Sequence, residues 1–306
     1  MTATIIDDRI RKLSTASERR VIDPDRDVPG SLGDGQLLPD ELLSVADLDL
    51  DLSPEQRITL SREEIGSITE AGIRFEAVLE AGFALQVAQS TNLLDPRTTY
   101  LLHEIGEETR HQRIFLRMLE QIQPKAKNPF VNRVTQFVER RGMKRIISLP
   151  ALLYVLVLGG EEIPDLFQKM ASEHPDTDSF VKAVNKYHRM EEARHLSFAR
   201  AMLPEVWETA GPMERLAVRY VAPVIINQMF DMIVHPGVYE TVGLPGMETW
   251  KKVRRTDTRL RWKAKATRPV LDAVVDAGAF RKGRIPKGWA KLVEGESLPE
   301  AVPVSA

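Results

Sequence analysis

The sequence predicts an all-α fold, and three observations carry that expectation. Apolar residues recur at three- and four-residue intervals over long stretches, helix starts are marked by a capping residue and then proline at Ser53-Pro54 and Asp95-Pro96, and no stretch shows sustained strand alternation. The first long stretch runs from Pro54 through Ile68, Ile73, Val78 and Leu79 to Val87, as one helix or two, because Gly66 and Gly72 weaken it. After the break at Asn92-Leu-Leu-Asp-Pro, a second runs from Pro96 to about Gln123, before Pro124. Further helices are expected over Pro129 to Arg141, Leu149 to Ala171, Asp178 to Met202 and Pro212 to Val234, with a turn at His174-Pro-Asp-Thr-Asp. Residues 1–52 mix Asp, Gly, Pro and Ser and read as an irregular arm, and residues 53–236 as a helical bundle. Residues 237–306 read as a basic tail, with Lys251, Lys252, Arg254, Arg255, Arg259, Arg261, Lys263 and Lys265, which packs on the bundle or extends from it.

Composition narrows the chemistry. The chain has 306 residues, no cysteine, and 42 basic against 44 acidic side chains. Disulfide scaffolds, zinc ribbons, iron–sulfur clusters and thiol nucleophiles are thereby excluded, and any metal must be held by histidine and carboxylate. A net charge of −2 sets up no field that would draw nucleic acid or an anionic membrane. The most apolar run, Ile146 to Gly160, is broken by Pro150 and stopped by Glu161 and Glu162, short of the ~20 residues that span a bilayer. The opening residues place acids before any apolar stretch, unlike a secretory signal. A soluble cytoplasmic protein is expected, with neither nucleic acid nor membrane as partner.

Two segments nearly repeat: Glu107-Glu-Thr-Arg-His111 and Glu191-Glu-Ala-Arg-His195. On a helix, residues three apart are rotated by about 60°, so Glu108 with His111, and Glu192 with His195, can each chelate a metal from one face. Two Glu-x-x-His helices joined by one glutamate from each of two others make a dinuclear carboxylate site in a helical bundle. The motifs fall in the second and fourth long helices, the order such a site requires. On the first helix Glu76 and Glu80 both stand about as far before the Asn92 turn as Glu108 and His111 stand after it. On the third, Glu161 and Glu162 interrupt an apolar stretch, where a buried carboxylate needs a cation or an exit to water. His188 lies four residues before Glu192 and seven before His195, on the same face. His103, His174 and His235 are read as surface or capping residues, not ligands. No glycine cluster matches a flavin or nicotinamide fingerprint, so electrons must come from outside.

His188-x-x-x-Glu192-x-x-His195, preceded by Glu-x-x-His at Glu108 and His111 and by upstream glutamates, resembles the p-aminobenzoate N-oxygenase (AurF-like) family of di-iron proteins over roughly Pro54 to Met202. The resemblance implies a ferritin-like helical bundle with a dinuclear metal site in its core, and it favours Glu76 and Glu161. The implied ligands are Glu76, Glu108, His111, Glu161, His188, Glu192 and His195, holding two iron ions, or manganese, with no catalytic side chain beyond them. Where the family often has Asp before each motif Glu, this chain has Glu107 and Glu191, long enough to accept a histidine N–H. The implied reaction uses O₂ and a ferredoxin- or reductase-type donor to take an aryl amine through hydroxylamine and nitroso stages toward the nitro product. Hydroxylation or desaturation of carbon, and a non-catalytic ferroxidase or metal-binding bundle, are the alternatives. Phe83, Tyr154, Leu158 and Phe198 are candidate pocket liners, and the apolar stretch from Pro212 to Val234 is a candidate homodimer face.

Overall fold

A computed structural model describes residues 3–131, 141–280 and 284–296, and the described residues contain helices and no strand. Among the helices of the described residues, those that build the fold are α1 (Ala3–Arg19), α2 (Pro54–Gln89), α3 (Pro96–Ile122), α4 (Pro150–Glu173), α5 (Ser179–Thr209), α6 (Ala222–Met232) and α7 (Asp257–Asp276). α2 is one continuous helix of 36 residues, so Gly66 and Gly72 do not divide it. Its start is a capping box: the Ser53 hydroxyl accepts from the Gln56 backbone N–H, and the Gln56 side chain accepts from the Ser53 N–H. α3 starts on Asp95, whose carboxylate accepts the Arg97 N–H, and ends at Gln123 with φ 49° before Pro124. The helix expected over Pro129 to Arg141 falls largely on 132–140, outside the described residues.

α2 packs along α3, and α4 along α5, forming the two helical pairs of a four-helix bundle. α4 is buried at every position from Ala151 to Ile163, which its apolar composition on all faces permits. That places the acidic pair Glu161 and Glu162 inside the fold.

The arm departs from expectation, and the tail packs on the bundle, one of its two expected alternatives, with part of its charge turned inward. Residues 3–19 form a regular amphipathic helix rather than irregular chain, because Ile6 and Ile10 bury one turn apart against α3 and α5 while Arg11 and Lys12 face out. Arg9 donates to Ser197, and Arg97 reaches Asp7 at 2.7 Å, which ties α1 to the bundle. In the tail, Lys251, Lys252, Arg255, Arg261 and Lys265 are exposed, but Arg259 and Lys263 are buried. Lys263 and Arg254 close on the fully buried Asp231 of α6 at 2.9 and 2.5 Å, and Arg259 lies over the rings of Phe230 and Phe167. α7 is therefore a wall of the bundle, held by charges that a hydropathy pattern reads as solvent-facing.

The helical stretch Pro212–Glu240 is long and apolar enough to cross a membrane by length and composition, with 44% of its most apolar window buried in the fold. It contains a π-helical turn, Ala217–Val221, where the Val218 carbonyl accepts from the Trp289 indole.

Candidate metal centre

Helix spacing brings the expected residues to one place. Glu108 and His111 from α3, Glu192 and His195 from α5, and His188 one turn earlier on α5 are all buried between the two pairs. His111 Nδ1 lies 3.2 Å from both Glu108 Oε2 and Glu192 Oε1, and His195 Nδ1 lies 3.2 Å from Glu108 Oε1 and 3.0 Å from Glu192 Oε2. From α2, Glu76 Oε1 stands 3.2 Å from His188 Nε2. From α4, Glu161 is buried beside the Glu192 and Glu108 carboxylates.

The far sides of the two motif histidines are engaged in a crossed pattern. His111 Nε2 meets Glu191 at 3.0 Å on the opposite helix, and His195 Nε2 meets Glu107 at 2.8 Å. A carboxylate can only accept, so each Nε2 carries a hydrogen. Each Nδ1 faces the inner carboxylates, which hold both rings well above the ordinary histidine range against the downward push of burial. A metal at Nδ1 would displace that second proton. The longer glutamates at 107 and 191 thus reach the histidines, each across to the other motif. Arg194 donates to Glu107 at 2.8 Å and Arg110 to Glu191 at 3.4 Å, so these two outer carboxylates are charge-balanced by protein. Against the upward push of burial, the bonds from His195 and Arg194 bring Glu107 down to about 2.

Among the inner carboxylates, Glu108 and Glu192 are held below the usual range, against burial, by the histidines they face, whereas Glu76 and Glu161 have no such balance. Burial, then the neighbouring Glu108 and Glu192 charges, hold Glu76 well above the usual carboxylate range, and burial with Glu192 and Glu108 does the same to Glu161. Burial and the facing His111 push His188 down to about 4, so its ring is neutral and able to donate a lone pair. Three groupings have one ligand atom per residue within 4.8 Å of one another: Glu76 with His111 and His188, Glu108 with His111 and Glu192, and Glu104 with Glu108 and His195. Oxygen atoms of Glu76, Glu104, Glu108, Glu161 and Glu192 lack a hydrogen-bond partner among the described residues. A cluster of buried carboxylates and imidazoles with orphaned oxygens fits a pair of first-row metal ions in an oxygen and nitrogen field.

The structure separates the alternatives left open in the sequence. Glu162 turns away to an ion pair with Arg200, whereas Glu161 faces the cluster. Glu80 is half-buried and accepts from Gln112 at 2.9 Å, one turn beyond Glu76. Glu104 was missed by sequence reasoning, although it precedes Glu108 by the same four residues that separate His188 from Glu192. His103 lies near Glu18, His174 near Glu41, and His235 beside Ser67, all away from the cluster.

A cavity of about 210 Å³ opens onto Glu76, Glu161 and His188. Phe75, Phe115, Met118, Ile163 and Met229 form much of its apolar wall, with Thr69, Gln168 and Asn185 as its uncharged polar groups. Phe115 stacks on the His188 ring at 5.1 Å, and Gln168 hydrogen-bonds His188 Nδ1 at 3.0 Å. The expected liners Phe83, Tyr154, Leu158 and Phe198 are not in this wall. They are fully buried core, with the Phe83, Tyr154 and Phe198 rings packed in sequence 6.3 and 6.0 Å apart, because they share the faces of the site residues, at spacings of three or seven, but lie further along α2, α4 and α5, past the cluster from the cavity.

Uncharacterised proteins of Mycobacterium bovis and Mycobacterium tuberculosis are 28% identical over 185 residues, 60% of this chain and 54% of each relative, so the chain spans about half the length of these relatives. Two variants of an R2-like ligand-binding oxidase with an anaerobically reconstituted Mn/Fe cofactor align at TM-scores of 0.41 and 0.40 with 12% and 13% identity. They cover 89% and 94% of this chain and 93% of theirs. The family model described as p-aminobenzoate N-oxygenase AurF matches residues 6–278, which extends the likeness beyond Pro54 to Met202 and takes in α1 and α7. On that match, over a cluster built from the same two Glu-x-x-His helices, the chain belongs to the p-aminobenzoate N-oxygenase AurF family.

Proposed function

We propose that this chain is a dinuclear-metal oxygenase that uses O₂ and external electrons to oxidise the nitrogen of an aryl amine. The observation that carries the reading is the convergence of both Glu-x-x-His motifs and His188 in one buried cluster that forms one end of an apolar cavity. In this reading Glu76, Glu108, His111, Glu161, His188, Glu192 and His195 hold two iron ions, or iron and manganese. When bound, such a pair supplies two electrons to O₂. The chain supplies the rest: Glu107 and Glu191 fix the histidine rings, and the apolar wall excludes water.

The cavity speaks to the substrate. An apolar cavity of about 150 Å³ accommodates benzene, so 210 Å³ takes one ring with small substituents. Among the described residues its lining has no lysine or arginine, and the acidic groups Glu76 and Glu161 stand at the metal end. A carboxylate buried there would lack a partner, which favours a neutral aryl amine over an aminobenzoate. The same lining suits hydroxylation of a hydrocarbon, the second reading, and the product distinguishes the two.

Protein from iron-replete culture, given a ferredoxin–reductase pair, is assayed for O₂ uptake and for products from aniline, p-aminobenzoate and toluene. Hydroxylamine, nitroso or nitro products from aniline support the proposal, and hydroxylated toluene alone would replace it with the carbon reading. O₂ uptake indifferent to every organic compound would leave a ferroxidase, and fewer than one metal ion per chain would refute a dinuclear centre.

A further inference from the structure

Helices α3 and α5 present matched ladders to the space between them. On α3 the residues are Glu104, Glu108 and His111, and on α5 they are His188, Glu192 and His195, both at intervals of four and three. Residues so spaced share one helical face. Each ladder ends in the same Glu-x-x-His pair, but its first rung differs: imidazole on α5, carboxylate on α3. His188 stands with Glu76 and His111, whereas Glu104 stands with Glu108 and His195, at the other end of the cluster.

Glu104 is fully buried, and neither of its carboxyl oxygens has a hydrogen-bond partner among the described residues. Other buried glutamates show what satisfaction looks like here. Glu63 accepts from the backbone of Lys125 and Ala126, Glu64 from Ser44, Glu214 from the Ala151 N–H, and Glu107 and Glu191 from histidine and arginine. The described buried glutamates with an orphaned oxygen are Glu76, Glu108, Glu161 and Glu192, all expected ligands, together with Glu104. Ionised, Glu104 lacks a counter-charge in hydrogen-bond reach. Protonated, its hydroxyl lacks an acceptor. A cation between Glu104, Glu108 and His195 satisfies it in a way the protein alone does not.

We propose that Glu104 is an eighth metal ligand, belonging to the position framed by Glu108 and His195. The inference rests on the dinuclear reading above. It makes the two positions unlike: the one near Glu76 has two imidazoles, His111 and His188, and the one near Glu104 has His195 with carboxylates. Manganese, which suits oxygen donors, is favoured at the carboxylate-rich position, and iron, which suits imidazole, at the other.

The test is anaerobic titration of full-length metal-free protein with Mn²⁺, read by calorimetry and by electron paramagnetic resonance, for wild type, Glu104→Gln and Glu104→Asp. Wild type is expected to bind two ions with an exchange-coupled spectrum. Glu104→Gln is expected to bind one ion as before and the second about 10- to 100-fold more weakly, leaving the signal of isolated Mn²⁺. Glu104→Asp, which keeps the charge, should lose less, and it serves alone if the Gln variant does not fold. Two ions bound by either variant with wild-type affinities and coupling would overturn the assignment while leaving the dinuclear reading intact. Wild type that binds no metal would overturn both.

Discussion

At the scale of single residues, burial without a partner has consequences outside the metal cluster as well as inside it. His235 is buried beside Ser67 with an unpartnered Nδ1, and burial pushes it down to about 4. The unfolded chain takes up that proton near its ordinary value of 6.5, the folded chain only near 4, so the unfolded state binds more protons between the two. Stability from this group is complete above 6.5 and is lost as pH falls toward 4, by about 2–3 kcal/mol. Denaturant melts of metal-free wild type and His235→Asn at pH 7 and pH 4.5 should therefore converge at the lower pH, the variant being the less pH-sensitive. Gly160 acts through space rather than charge. A Cβ there would lie 1.8 Å from the Phe75 ring, and both residues line the cavity. In Gly160→Ala the ring must swing, and the natural room for it is the apolar cavity proposed to take the substrate. KM for a ring substrate should rise about tenfold, ~1.4 kcal/mol, with metal content unchanged. A variant that loses metal instead would show that Phe75 supports the ligands rather than the pocket.

At the scale of elements, the four bundle helices position the candidate ligands and the outer helices hold the bundle. α7 is anchored by Lys263 on Asp231 at 2.9 Å, with Arg254 on the same carboxylate and Asn227 donating to it. Removing Asp231 leaves a buried lysine uncompensated, which costs about 3–5 kcal/mol. Asp231→Ala should lower the melting temperature by roughly 6 °C or more in a chain of this size, and an unchanged melting temperature would mean that α7 contributes little to the wall. α1 reaches the site at second hand: Ser17 accepts from Arg194, Arg194 donates to Glu107, and Glu107 holds the His195 ring. The long helices and the two Glu-x-x-His faces were legible because period and capping are local properties. α1 and the inward face of α7 were not, since their burial depends on what packs against them.

At the scale of the whole molecule, the buried acidic cluster is stable because something must offset its charge. Burial first, and then mutual repulsion, raise Glu76 and Glu161, so the metal-free protein holds protons there that a metal must displace. Metal uptake should release protons, seen as a buffer-dependent heat in calorimetry at pH 7, and affinity should fall as pH is lowered. Chelation should lower the melting temperature by several degrees, following the mass-action stabilisation of a ligand that binds only the folded chain. Equal melting temperatures with and without metal would argue that the cluster is satisfied by protons alone.

The sequence by itself determined the helical class, the positions of the four bundle helices and the paired motifs, because each is written in intervals of three, four and seven residues. It determined also that any metal would be held by nitrogen and oxygen, because no cysteine is present. The tertiary structure decided what depends on distance between helices: Glu161 toward the cluster and Glu162 toward Arg200, the crossed bonds of Glu107 and Glu191, and the cavity on the Phe75 side of the cluster instead of the Phe83 side. It also brought Glu104 to Glu108 and His195. A helical repeat says which residues share a face, but only packing says which face meets another.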